Sequence, residues 1–132
     1  MFNNIREFSK LTRTAKEAAG QIGCSVAQIA KSLIFKDKDG NPVLVIASGV
    51  NRVGENNLKL FKADADFVKE KTGFAIGGVP PWGHKNKIIT YIDEDLKKYP
   101  EIWASAGKPN AVFKTSFEEL VKKTKGEIID MK

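Results

Sequence analysis

The chain is poor in the residues that carry most hydrolytic and metal chemistry. Among its 132 residues it has one cysteine, Cys24, and one histidine, His84. One thiol cannot form an internal disulfide, and this pair gives no metal-ligand spacing, so a histidine-based metal cage and a typical zinc site are nearly excluded. The sequence also contains no GxxxxGK[ST] phosphate loop, GxSxG elbow, HExxH or paired CxxC motif. We therefore predict no metal site and find no familiar catalytic signature.

Long hydrophobic runs are also missing. No stretch is long enough to cross a bilayer, and the first twenty residues lack the apolar core and cleavage site of a signal peptide. The length allows one continuous hydrophobic core and is too short for two ordinary domains. We therefore expect a single soluble domain over residues 1–132, in the cytoplasm and without a membrane partner.

Basic residues outnumber acidic ones by 22 to 16, which gives a formal net charge of +6. Such a surplus favours polyanionic partners through phosphate contacts and counterion release. However, 19 of the basic residues are lysines, scattered in pairs such as Lys97-Lys98 and not gathered in an arginine-rich arm. We interpret most of them as solvated surface charges that are compatible with nucleic-acid binding without proving it.

Helix signals recur along the chain. Three capping boxes place a hydroxyl residue three positions before an acid or amide: Thr14 before Glu17, Ser25 before Gln28, and Ser116 before Glu119. The first predicts a helix that ends at Gly23, and the third predicts a helix that runs to about Thr124. The segments NRVGENNLKLF and ADADFVKEKTG predict two more short helices, the second from Asp64 to Gly73.

The segment IAKSLIFK, the turn sequence DKDGNP and the segment VLVIAS together predict a β-hairpin. Because strand side chains alternate between faces, Lys31 shares a face with Leu33 and Phe35. Further strands are predicted at FAIG, KIITYID, IWASA and AVFKT, with a helical turn at EDLKKYP. About six strands and four helices without regular alternation indicate a mixed α/β (α+β-like) domain and not a doubly wound sheet.

The loop AIGGVPPWGH, residues 75–84, concentrates adjacent glycines, two prolines and the histidine. One hypothesis is a rigid pocket in which the glycines expose backbone N–H groups to an oxyanion or a substrate carbonyl, with Pro80 and Pro81 stiffening the exit. The other hypothesis is a sharp turn between strands, with Trp82 covering the core and His84 in a structural hydrogen bond. Without further information the turn is favoured.

Two other candidates carry weaker signals. Cys24 and His84 are the residue types of a nucleophile and its base. However, Cys24 lies between a helix end and a capping box, where a half-buried structural thiol is the simpler interpretation. Asp93 follows a predicted strand, and capping of the turn at DEDL is favoured over a catalytic role.

Four segments in this order resemble the YbaK/EbsC family, relatives of the editing domain of bacterial prolyl-tRNA synthetases: TRTAKEAAGQIGCSVAQIAKSLIF, ASGVNRV, KTGFAIGGVPPWGH and WASAGKPNAVFKTSFEEL. The resemblance covers residues 12–130. It implies a compact domain whose mixed, largely antiparallel curved sheet is flanked by short helices. It also implies hydrolysis of the ester of a mischarged aminoacyl-tRNA without any cofactor, with a cognate synthetase as a further candidate partner.

The resemblance assigns the site residue by residue. The lysine of the family's K-[ST]-L strand, which contacts the substrate near its terminal adenosine and ester, falls on Lys31. The implied catalytic groups are Lys31, Gly77 and Gly78. The implied substrate-binding residues are Asn51, Arg52, Val79, Pro80, His84, Ser105, Ala106 and Gly107. The implied substrate carries a small amino acid such as Ala, Ser, Thr or Cys on tRNA-Pro or a related tRNA.

An aminoacyl ester is already activated, so the implied chemistry needs little beyond positioning water and stabilising charge on the carbonyl oxygen. The vicinal ribose hydroxyl would orient that water, with His84 as the alternative proton carrier. Members that favour cysteinyl-tRNA carry AGKRGLD where this chain has AGKPNAVF. Val112 replaces their aspartate, which weakens the case for cysteine. The chain also begins closer to TRTA than most relatives, so a segment found at their N-terminus is expected to be missing.

Three functions are compatible with the residues. The first, which we favour, is a trans-editing deacylase. The second is a module that binds an aminoacyl-tRNA end, an oligonucleotide or a synthetase without turnover. The third is a hydrolase or lyase of a small aminoacyl compound, against which a strong salt dependence of affinity would count because only a polyanion releases many counterions.

Overall fold

The predicted hairpin lies at the centre of the sheet. The computed structural model describes residues 2, 4–9, 14–55 and 57–131. Its strands are β1 (Ile5–Glu7), β2 (Ile29–Lys36), β3 (Pro42–Ser48), β4 (Phe61–Lys62), β5 (Ile89–Asp93), β6 (Ile102–Lys108), β7 (Ala111–Thr115) and β8 (Glu127–Ile129). Its helices are α1 (Ala15–Ile22), α2 (Ala65–Thr72) and α3 (Phe117–Thr124), with 3₁₀ turns at Val26–Gln28 and Glu94–Lys98.

The strands form one sheet in the order β1-β7-β6-β2-β3-β5-β8, and β4 pairs with β2 outside this sequence. The pairs β1–β7, β2–β3, β2–β4 and β6–β7 are antiparallel, whereas β2–β6, β3–β5 and β5–β8 are parallel. The predicted mixed, mostly antiparallel class is confirmed. The described residues form eight strands and not about six, because β1, β4 and β8 have only two or three residues and show no readable alternation.

The helix ends follow the predicted caps. The Thr14 hydroxyl accepts the Glu17 N–H at 3.1 Å, and α1 ends at Gly23 with a φ of 85°. Asp64 caps α2 by accepting the Phe67 N–H at 2.8 Å. These short-range signals were readable because a cap is a local hydrogen bond that needs no tertiary partner. No helix in the described ranges is long and apolar enough to span a bilayer.

Two predicted elements are wrong. The segment NRVGENNLKLF is not a helix: it forms a turn, in which the Leu58 N–H bonds the Gly54 carbonyl at 3.0 Å, and then enters β4. Pairing of Phe61 and Lys62 with β2 overrides the local helix preference. The segment FAIG is not a strand either, because it turns back at once and residues 73–88 run as a loop.

The two faces of the sheet carry separate hydrophobic clusters. One face buries Ala30, Ile34 and their neighbours on β3, β6 and β7. The other buries Phe35 with Val43, Val45 and Ala47, and Leu33 packs against that cluster. Lys31 lies opposite Ala47 and therefore belongs to this second face, as the alternation predicted.

Candidate active site

A cleft of about 700 Å³ opens along one edge of β2. On that edge β2 pairs with β6 only at Ile29 and Ala30, and with β4 only at Phe35 and Lys36. No described strand pairs with the edge between these two contacts. The sheet is therefore split over the middle of β2, and residues from both of its faces line the cleft.

A bulge in β6 accompanies the split. The register between β6 and β7 shifts between Ser105 and Lys108, and Gly107 has a φ of 100°. A Cβ atom at Gly107 would lie 3.1 Å from the ring of Phe74. Another residue at this position would therefore meet both a close contact and an unfavourable backbone conformation. Bulges bend the strand that carries them, which accounts for the divergence of β6 from β2 beyond Ala104.

The glycine loop is a tight turn that packs against this bulge. The Ala75 carbonyl accepts the Gly78 N–H at 2.9 Å, and Gly77 has a φ of 86°, as the third residue of such a turn requires. A Cβ at Gly78 would lie 3.1 Å from Cδ of Pro109. The expectation that both glycines offer free N–H groups is therefore corrected. Gly78 uses its N–H within the turn, whereas the Gly77 N–H has no partner among the described residues.

His84 fastens the other end of the loop. Its Nε2 lies 2.6 Å from the Pro80 carbonyl oxygen, and its ring meets Phe74 edge-on. Burial lowers the pKa of His84 below its ordinary value, although the hydrogen bond to Pro80 opposes that shift. We therefore assign a neutral ring whose Nε2–H donates to Pro80. Trp82 packs edge-on against the buried Phe113, as the turn hypothesis predicted, but the loop does not connect two adjacent strands.

Lys31 is half-buried and lines the cleft. Burial lowers the pKa of its ammonium below the ordinary lysine value. The Arg52 guanidinium lowers this pKa further by repulsion, and the Asp93 carboxylate opposes both effects. The structure thus places a partly desolvated cation at the wall of the cleft, where it interacts more strongly with a ligand oxygen than a fully hydrated lysine would.

Asp93 organises the polar side of this region. Its carboxylate is fully buried and accepts the Ser48 N–H, the Asn51 side-chain amide and the Asp95 N–H at 2.8–2.9 Å. The Asn51 amide also donates to the Asp95 carboxylate at 2.8 Å. The predicted cap of the turn is confirmed by the bond from the Asp95 N–H, which is one of the three hydrogen bonds that the Asp93 carboxylate accepts. The contacts to β3 and Asn51 were missed because they join residues more than forty positions apart.

The cleft brings together part of the predicted site. Of the assigned residues, those that line it are Lys31, Gly77, Val79 and Ser105. The remaining assigned residues lie next to the cleft without lining it. The glycine loop contains Gly78, Pro80 and His84, and the bulge contains Ala106 and Gly107. Asn51 is bonded to Asp93, and Arg52 lies near Lys31. The lining also includes the lysines Lys16, Lys62 and Lys108 and one acid, Glu55. This charge balance suits a phosphate-bearing ligand.

Cys24 has no part in the cleft lining. It is half-buried beside Ala18, Ala19 and Ile29, and burial raises the pKa of its thiol. The neutral thiol is therefore favoured, which is the state of a structural cysteine and not of a nucleophile. Within the described part of the chain, no group of three or more His, Cys, Asp and Glu side chains is arranged to hold a metal ion.

The chain is similar to proteins of aminoacyl-tRNA editing. A family model described as "Aminoacyl-tRNA editing domain" matches residues 9–123. The uncharacterized protein YwhH of Bacillus subtilis is 32% identical over 124 residues, which cover 89% of this chain and 79% of YwhH. A proline–tRNA ligase of Thermosipho melanesiensis is 33% identical over 93 residues, which cover 64% of this chain and 16% of the ligase.

A solved structure is similar to this chain and also points to aminoacyl-tRNA editing. A crystal structure described as a candidate trans-editing enzyme for prolyl-tRNA synthetase matches with a TM-score of 0.88 and 43% identity, over 97% of this chain and 85% of that one. The family model and the match in overall fold thus define an editing-type α/β domain. The chain belongs to the YbaK-like aminoacyl-tRNA editing domain family, as its four sequence segments predicted.

Proposed function

We propose that the protein acts in trans as a deacylase, hydrolysing the ester bond of mischarged aminoacyl-tRNA. The observation that carries this proposal is the split along β2, which opens a cleft lined by Lys31 and by Gly77, whose N–H has no partner among the described residues. A cation and a backbone donor at one cavity wall are the two groups that stabilise a developing oxyanion without a catalytic triad. No cofactor is required by this chemistry.

In the proposed reaction, water attacks the carbonyl carbon of the ester. The carbonyl oxygen becomes negative and is stabilised by the Gly77 N–H and the Lys31 ammonium. The bond between that carbon and the ribose oxygen then breaks, and the ribose oxygen takes one proton from the attacking water. The second proton of the water passes to solvent, and the amino acid leaves as its carboxylate. The vicinal ribose hydroxyl orients the water, because His84 does not line the cleft and donates its Nε2–H to Pro80.

The cleft suits the end of a charged tRNA in size and charge. A volume of about 700 Å³ lies within the range of small-molecule and cofactor sites and accommodates an aminoacyl-adenosine. Lys16, Lys62 and Lys108 line the cleft and would meet the phosphates of the acceptor strand, with Lys108 exchanging its exposed ion pair with Glu7 for a phosphate. The apolar wall that Val112 contributes favours an apolar side chain on the substrate, such as that of alanine, on tRNA-Pro or a related tRNA.

The decisive experiment measures amino-acid release from a panel of tRNAs mischarged with Ala, Ser, Thr and Cys, on proline and other acceptors. Wild type is compared with Lys31→Ala and with Lys122→Ala, which removes an exposed lysine of α3. We expect selective hydrolysis that Lys31→Ala lowers about 100-fold, the usual effect of losing one oxyanion-stabilising group. Lys122→Ala should hydrolyse normally, and all three proteins should bind tRNA.

Two results would overturn the proposal. Tight tRNA binding without turnover across the panel would identify a binding module and not an enzyme. Equal activity on aminoacyl-tRNA and on free aminoacyl esters, with no salt dependence of affinity, would identify a hydrolase of small aminoacyl compounds.

A further inference from the structure

Backbone hydrogen bonding along β2 alternates strictly between its two edges. At one end the Gly49 N–H donates to the Ile29 carbonyl at 2.8 Å, and at the other the Asp37 N–H donates to the Asn41 carbonyl at 2.9 Å. The register between these points is unbroken, from Ala30 opposite Ser48 to Lys36 opposite Pro42. Odd-numbered residues of β2 therefore bond to β3, and even-numbered residues direct their N–H and C=O groups to the opposite edge.

Ser32 is the residue that this alternation leaves open in the middle of the gap. Of the other even-numbered residues, Ala30 pairs with β6, Lys36 pairs with β4, and Ile34 directly adjoins the Phe35–Lys62 pair that closes one end. Ser32 lies between these pairings and lines the cleft, and no pairing of the described strands gives its N–H or C=O a partner. A backbone donor and acceptor that are neither in the ladder nor capped require a partner from a ligand or from solvent.

The open edge is too short to dock another strand. Only Lys31 to Ile34 are unpaired there, a length of about 13 Å at 3.3 Å per residue. Both ends are closed by β6 and β4, and Gly77 and Val79 line the same cavity. The opening therefore suits a small ligand and not the edge of a second protein.

We propose that Ser32 holds the aminoacyl group itself as a one-residue strand, an inference that rests on the proposed function. An aminoacyl ester repeats the backbone of one residue, with nitrogen, Cα and carbonyl in sequence. Its ammonium donates to the Ser32 C=O, while its ester carbonyl accepts from the Ser32 N–H. This is the closely spaced hydrogen-bonded pair of an antiparallel sheet, with the substrate in place of the second residue.

The position of Ser32 favours the aminoacyl group over the terminal adenine, whose amino group and ring nitrogen have a similar donor and acceptor spacing. Ser32 follows Lys31 directly, and the proposed function sets Lys31 beside the reacting ester, which favours the aminoacyl group as the partner of this edge. The Ser32 hydroxyl takes no part: its oxygen is buried, on the face opposite Lys31, and has no partner in the described ranges. Recognition by the backbone explains how the site can require a free ammonium while tolerating different small side chains.

The first test compares hydrolysis of alanyl-tRNA, lactyl-tRNA and N-acetylalanyl-tRNA, each rate divided by the spontaneous rate of the same ester. Lactyl-tRNA replaces the ammonium by a hydroxyl, and N-acetylation blocks it. We expect kcat/KM to fall about 10- to 100-fold for both, the effect of losing a charged hydrogen bond. Equal normalised values would overturn the inference. If kcat/KM fell instead when the terminal adenine was replaced by purine, which lacks the amino group, the base and not the aminoacyl group would be the partner of the Ser32 edge.

The second test does not depend on turnover. Amide exchange is followed by NMR in the whole protein, alone and with non-hydrolysable 3′-alanylamino-3′-deoxyadenosine or its N-acetyl analogue. The Ser32 amide should exchange fast when free and at least tenfold more slowly with the first compound only. The Leu33 amide, bonded to β3, is the matched control and should be protected throughout. An unchanged Ser32 amide in the saturated protein would overturn the inference.

The two tests separate the inference from the function on which it rests. Wild-type protein that protects Ser32 but hydrolyses no ester would refute the deacylase and keep the recognition mode. Wild-type protein that hydrolyses alanyl-tRNA and its N-acetyl form equally would keep the deacylase and refute the recognition mode.

Discussion

Replacing Asp93 by asparagine would remove one charge from the fully buried centre of the polar network. The carboxylate accepts three hydrogen bonds, two at Oδ2 from Ser48 and Asn51 and one at Oδ1 from Asp95. An asparagine amide has one oxygen and one NH₂ group. In either orientation the NH₂ faces at least one of these three donors, so at least one buried N–H loses its acceptor, and the remaining bonds lose their charge assistance.

The expected cost follows from these contacts. A buried donor left without a partner costs about 1–3 kcal/mol, and weakening the other charge-assisted bonds adds about 1 kcal/mol, so the free energy of unfolding should fall by about 2–4 kcal/mol. For a domain of this length about 1 kcal/mol corresponds to about 4 °C in Tm. We therefore expect Asp93→Asn to melt about 8–16 °C below wild type.

The assay is thermal and urea unfolding followed by circular dichroism. Asp39→Asn is the matched control, because it makes the same chemical change at an exposed residue of the β2–β3 turn and should shift Tm by less than about 2 °C. A double-mutant cycle with Asn51→Ala should show coupling of about 1 kcal/mol, since the two side chains are bonded. Equal melting of Asp93→Asn and Asp39→Asn would refute the assigned role of the network.

Further predictions concern the loop and the glycines. Because the pKa of His84 is lowered from 6.5, the unfolded chain binds its proton more readily, so stability present above pH 6.5 should fall as the pH drops below it. His84→Gln, which can still donate to Pro80, should flatten this dependence in urea unfolding between pH 5 and 7.5. An unchanged slope would contradict the assignment. His84→Ala should release the loop and lower kcat for ester hydrolysis more than His84→Gln does. Gly49→Ala should lower the free energy of unfolding by more than about 2 kcal/mol, because its Cβ would approach the Val26 carbonyl. Gly20→Ala, in open space on α1, should raise it by about 0.5–1 kcal/mol, and a change of the same sign at both glycines would refute this contrast.

Local signals predicted the parts of the fold whose hydrogen bonds close within a few residues. The capping residues Thr14, Asp64 and Ser116 each bond the N–H three positions on, so their helices were readable. The hairpin was readable because its turn and alternation lie within one continuous segment. NRVGENNLKLF failed for the opposite reason, since the pairing of β4 depends on the open edge of β2 and not on its own composition.

The candidate site divides in the same way. The resemblance named Lys31, Gly77 and Ser105, which line the cleft, and the alternation of β2 put Lys31 on the face that it occupies. Neither source of prediction showed that the Gly78 N–H is hydrogen-bonded within the turn or that the Asp93 carboxylate accepts three hydrogen bonds. These facts depend on which backbone groups meet across the fold.

The family, the fold class, the helix caps, the hairpin and the side of β2 on which Lys31 lies were predictable from residue order, because each rests on patterns within continuous segments. The split of the sheet along β2, the packing of the bulge against the glycine turn and the open backbone groups of Ser32 became visible only in the folded chain. Backbone N–H and C=O groups are the same at every residue, so composition cannot reveal which of them the strand pairing leaves open.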